Sequence, residues 1–66
     1  MIPDDVRRRV AAIREIAGDD EAAHSAEDRL WSDVLESIAH GDCDDPQACA
    51  ELALKTKALD FQRWCA

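Results

Sequence analysis

An all-α fold is predicted by three observations: apolar residues recur at helical spacing in successive stretches, the breaks between stretches carry helix-end signals, and the composition favours helices over strands. Across its 66 residues the chain is rich in alanine, has no tyrosine, and draws its aromatic bulk from Trp31, Phe61 and Trp64 alone. Such a chain makes closely approaching helices with few large core fillers. The expected architecture is an antiparallel helical hairpin, a third helix and a short C-terminal turn, together forming one small three-helix domain over residues 1–66.

The first helix is expected over residues 3–17. Pro3 suits the first helical position because its φ is fixed and it has no N–H to satisfy, and Asp4 and Asp5 complement the positive end of the dipole. Ile2, Val6, Val10, Ile13 and Ala17 then form a seam along one face. Gly18 closes the helix and Asp19 or Asp20 caps the next, so the hairpin connection is short. A hinge there sets side by side residues whose numbers sum to about 37 or 38, which brings Arg9 and Arg14 beside the acidic half of the second helix.

The second helix, expected over 20–40, organises the chain. Leu30, Trp31, Val34, Leu35 and Ile38 form an apolar stripe. Continued toward the N-terminus, the stripe holds Asp20, His24, Glu27 and Asp28, with Glu21 at its margin. After Gly41-Asp42, the run Asp44-Asp45-Pro46 restarts a helix over 46–57, with Ala48, Cys49, Leu52, Ala53 and Thr56 on its inner face. Asp60 is placed to cap a last turn over 60–65, with Phe61 and Trp64 folding back over the hairpin.

A formal charge of −7 opposes direct binding to nucleic acid or to anionic membranes, which need a cationic surface. A basic protein partner or a metal suits it better. MIPDDVRRRV lacks the order of a secretory signal, and no stretch reaches the length of a membrane span, so a bacterial or host cytoplasm is the expected location. Three cysteines fit a reducing compartment better than a disulfide framework. A core this small rarely supplies more than about 3 to 5 kcal/mol, which makes a homo-oligomer an expectation in its own right.

The chemistry-bearing residues have structural explanations beside functional ones. Glu21, His24 and Asp28 lie on one side of a helix, and a Glu-x-x-His pair is how helical bundles present oxygen and nitrogen to a divalent transition metal. Glu27 joins them as a fourth candidate. The structural explanation makes the acids at 19–21 servants of the helix N-terminus and pairs Glu27 and Asp28 with Arg9, Arg14 or Arg29. His40, Cys43, Cys49 and Cys65 contain the donors of a Cys3His zinc set, though at an unorthodox spacing; a Cys43–Cys49 disulfide and plain small thiols are the alternatives. Arg7-Arg8-Arg9 follows Asp4-Asp5 at ion-pair spacing. Trp64 is either core or an interface anchor.

Asp20-Glu21 through His24, Glu27-Asp28, Asp60-Phe61 and the ending Arg63-Trp64-Cys65-Ala66 resemble a group of short uncharacterised proteins of phages and prophages of GC-rich bacteria, over about Ile16 to the C-terminus. The resemblance implies a small accessory protein inside a bacterial host and transfers no catalytic residue; Cys43 and Cys49 lie outside its pattern. The expected function is a small acidic, non-enzymatic protein-interaction module, self-associating and accessory or regulatory in role, without a cofactor. The alternative is a metal-binding helical protein using Glu21, His24, Glu27 and Asp28.

Overall fold

The expected helices are all present in the structure, a computed structural model that describes residues 1–63. Helix α1 spans Pro3–Glu15, α2 spans Asp20–Ala39 and α3 spans Pro46–Leu54, continued by a 3-10 turn over Lys55–Ala58. Among the described residues there is no strand. Helix α1 packs against both α2 and α3, and these two pack against each other.

Each helix starts for an identifiable local reason. In α1 the Asp5 carboxylate accepts the Ile2 N–H at 2.9 Å, and Pro3 opens the first turn. Asp4 and Asp5 also pair with Arg7 and Arg8, so two members of the basic triplet serve their own helix. The side chain of Asp19 caps α2 through the Ala22 N–H, and that of Asp45 caps α3 through the Ala48 N–H. Asp45 does so from the left-handed region, at φ 54°, and Gly41 before it stands at φ 75°. Aspartate tolerates that conformation better than most residues, and glycine adopts it freely.

The helix ends differ from expectation by a residue or a turn. Helix α1 stops at Glu15 rather than at residue 17, because the Ile16 and Ala17 N–H groups bond three residues back and tighten the chain into a turn. His40 is the C-cap of α2, not its last helical residue. The expected third helix over 46–57 becomes α3 plus the 3-10 turn. Asp60–Arg63 form no helical turn, so the helical start expected at residue 60 is not made; Trp64 and Cys65, the rest of that expected turn, lie outside the described residues. Asp20, rather than a capping contact by Asp60, holds this segment: its carboxylate accepts the Gln62 N–H at 3.1 Å.

The core is drawn from Val6, Val10 and Ile13 of α1, Ala23, Leu30 and Val34 of α2, Cys49 and Ala53 of α3, and Phe61. The inner stripe of α2 is thus narrower than the one expected. Glu27 keeps its place on it, only 3% exposed, whereas Leu35 lies 67% exposed on the outer side. Ile2, at 42% exposure, also falls outside the seam of α1.

Leu30 is fully buried in the core, so Leu30→Ala should remove about 2–5 kcal/mol of stability. Leu35→Ala should change it by no more than about 0.5 kcal/mol. Urea unfolding followed by circular dichroism separates the two, and equal losses would contradict this core.

Candidate functional site

The acidic half of α2 does not act as one cluster. Its members point to different partners, and the buried one is taken by the C-terminal segment. Arg63 lays its guanidinium across Glu27 in two parallel bonds, Nε donating to Oε1 at 2.8 Å and Nη2 to Oε2 at 3.1 Å. The same group donates to the backbone carbonyls of Thr56 at 2.7 Å and Phe61 at 3.2 Å. Its carbon lies 3.9 Å from the centroid of the Phe61 ring, within cation–π range. One arginine therefore ties α2, the end of the 3-10 turn and the C-terminal segment together.

Thr56 and Trp31 extend this node. The Thr56 hydroxyl is 3.0 Å from the Ala53 carbonyl oxygen, with Glu27 as its alternative acceptor. Trp31 Nε1 donates to the Thr56 hydroxyl and the Ala53 carbonyl, each at 3.1 Å. The buried polar atoms Glu27 brings inward thus meet donors, as a low-dielectric interior demands.

Burial by itself would raise the Glu27 carboxyl. The hydrogen bonds from Arg63 and Thr56, followed by the Arg63 charge, outweigh that effect and hold the group below the ordinary carboxylate range. Glu27 in turn pushes the Arg63 guanidinium above its ordinary value, so it remains charged. The pair is a neutralised structural clamp rather than an acid or base awaiting a substrate.

The other expected members are dispersed. Arg9 bonds Asp33 at 2.8 Å, not Glu27 or Asp28. Side chains on a helix lean toward its N-terminus, so in an antiparallel pair Arg9 reaches a higher-numbered level of α2 than its own Cα faces. Arg14 is exposed, and among the described residues no ion pair reaches it or Glu21. His24 Nε2 lies 3.5 Å from Asp28 Oδ1, and the Asp28 carboxylate is largely in solvent. The expected joining of Glu27 and Asp28 to Arg9 and Arg14 is therefore not made, and Trp64 lies outside the described residues.

Among the described residues no three His, Cys, Asp or Glu side chains converge closely enough to hold a metal ion. With Glu27 engaged by Arg63, the metal alternative would have to rest on Glu21, His24 and Asp28. Of the zinc set, His40 is exposed at the end of α2, Cys49 is buried, and Cys65 lies outside the described residues.

The outer side of α2 offers a second feature. Between α2 and α3 runs an open slot of about 310 Å³, lined by Trp31, Val34, Leu35, Ile38, Ala50, Ala53 and Leu54. No charged residue lines it. Leu35 and Leu54 stand on its two edges, 67% and 53% exposed. The expected apolar stripe of α2 is therefore divided, Leu30 serving the core, Val34 both the core and the slot, and Leu35 the slot alone. No helix among the described residues is long and apolar enough to cross a membrane. Comparison with known proteins finds no matching family, no matching curated protein and no matching solved structure.

The clamp makes stability depend on pH. The carboxyl of Glu27 titrates lower in the folded than in the unfolded chain, so below the ordinary carboxylate range the unfolded chain binds more protons. Its contribution is complete above that range and is lost as pH falls through the folded value. Arg63→Ala, which orphans a buried carboxylate beside a partly exposed arginine, should cost about 3 kcal/mol at neutral pH. The cost should shrink in acid as Glu27 takes up a proton. Urea midpoints for wild type and Arg63→Ala between neutral and acid pH measure this, and a pH-independent difference would contradict the clamp.

Proposed function

We propose that the chain is a small, non-enzymatic protein-interaction module that receives an amphipathic, basic helix of a partner protein in the slot between α2 and α3. The observation that carries this function is the slot itself: leucines on both edges, an apolar lining and, among the described residues, no element laid over it. Apolar side chains at the i, i+3, i+4 spacing of a partner helix fit such a groove.

Charge complementarity selects the sign of the partner. The chain carries −7 overall, with exposed Asp28 one turn from Trp31 on α2 and exposed Glu51 one turn from Leu54 on α3. Lysine and arginine on the outer flanks of a bound helix would meet these acids while its apolar face fills the slot. Trp31 is a suitable anchor, since its ring lines the slot and its N–H is fixed to α3. The role that follows is accessory or regulatory, exercised by occupying a basic helix of another protein. Self-association is the rival use of this surface, with a second copy filling the slot at the expense of repulsion between two acidic chains.

The test uses a synthetic helical peptide with leucines on one face and lysines on the other, titrated against the full chain and followed by tryptophan fluorescence. Binding should weaken about tenfold or more for Leu35→Asp and Leu54→Asp. A matching peptide with glutamates in place of the lysines should not bind. Equal binding of the two peptides would overturn the partner's charge. A dimer in native mass spectrometry that Leu35→Asp dissolves would assign the slot to a second copy instead.

A further inference from the structure

The turn joining α2 to α3 and the first half of α3 each carry a thiol for which the interaction surface gives no reason. Cys43 lies in the turn, half-buried, and Cys49 lies in the first half of α3, fully buried. Their sulfurs converge on one acceptor. Cys43 Sγ is 3.8 Å and Cys49 Sγ 3.5 Å from the same Asp44 carbonyl oxygen. The Cys43 thiol is also near enough to Cys49 to oppose its ionisation. Five residues of sequence separate them, and the left-handed Asp45 among these turns the chain back toward Cys43.

We propose that Cys43 and Cys49 form a modification site, a dithiol that is oxidised reversibly to an intramolecular disulfide by low-molecular-weight disulfides. The accessible thiol, Cys43, reacts first. Its thiolate attacks one sulfur of the small disulfide RSSR, forming a mixed disulfide and releasing RS⁻, which takes up the proton Cys43 lost. Cys49 then loses its proton and attacks the Cys43 sulfur, forming the Cys43–Cys49 bond and releasing the second RS⁻, which is protonated in turn. In balance, two protein thiols and one RSSR become one protein disulfide and two RSH. The two electrons lost by the protein sulfurs reduce the small disulfide.

The surroundings favour the oxidised form once it is made. Burial, then the Cys43 thiol beside it and the Asp45 carboxylate, push the Cys49 thiol up to about 11. A thiol that resists ionisation gains no stabilisation in its reduced state, unlike the acidic thiols of strongly oxidising proteins. The bond would also brace a turn in which Gly41 and Asp45 both hold positive φ.

Equilibrating the full folded chain with oxidised glutathione, quenching in acid and mapping the peptides tests the site. The expected product is a Cys43–Cys49 linkage, formed equally in Cys65→Ser and lost in Cys43→Ser. The oxidised chain should melt at a higher temperature than the reduced one, and dithiothreitol should return it to the starting mass. Cys43→Ser alters only the half-buried member, so its helical circular dichroism should match wild type and a lost linkage cannot be ascribed to unfolding. A linkage through Cys65 in place of Cys49, a linkage formed only in denaturant, or only glutathione adducts at Cys43 would overturn the proposal.

Discussion

The bidentate contact between Arg63 and Glu27 is the constraint on which the rest of the arrangement depends. A carboxylate in the core stripe of α2 is tolerable only if a cation reaches it, because an unpaired buried charge costs several kcal/mol. Helix α1 supplies none: Arg9 is drawn to Asp33 and Arg14 faces away. The cation comes from beyond α3, so the segment after the 3-10 turn must cross back over α2. Phe61 is buried beneath that crossing, and Thr56 supplies its backbone carbonyl to the arginine. A single polar residue at a core position thus fixes where an otherwise irregular segment runs.

This arrangement also explains why the fold was largely legible in the sequence while the polar network was not. Pro3, Asp19, Gly41, Asp45 and Pro46 act through their own backbone and their nearest neighbours, so the three helices could be placed from local chemistry; Gly18, expected to close the first helix, holds no positive φ, and α1 ends at Glu15 with Ile16 as its C-cap. Val6, Val10 and Ile13 keep the expected face for the same reason: a narrow seam allows one orientation. The apolar residues of α2 cover a wider arc than one partner can bury. Spacing alone could not say that Leu30 and Val34 turn to the core and Leu35 to the slot, because that depends on where α3 lies.

The partner of Glu27 was hidden by distance along the chain rather than by lack of a signal. Arg9 and Arg14 were the arginines that a hairpin brings near, and a pairing rule based on facing levels favours them. It neglects the N-terminal lean of helical side chains, which carries Arg9 past Glu27 to Asp33. Arg63 is 36 residues away from Glu27 and follows a segment without helical periodicity. Thr56 was legible on the inner face of α3, but its hydroxyl acquires a purpose only when Trp31 and Glu27 are seen on either side.

The clamp and the slot place opposite demands on neighbouring parts of α2. Around Glu27 every strong polar group is matched internally, and the geometry resists rearrangement because breaking one bond orphans a buried charge. Around Leu35 nothing is matched, although the same helix supplies both surfaces and Trp31 stands between them. Its indole N–H belongs to the polar network and its ring lines the slot. Fixing that N–H against Thr56 and Ala53 holds the ring in place before any partner arrives, so less side-chain freedom remains to be lost on binding. The buried polar node thus keeps an apolar surface ordered next to it.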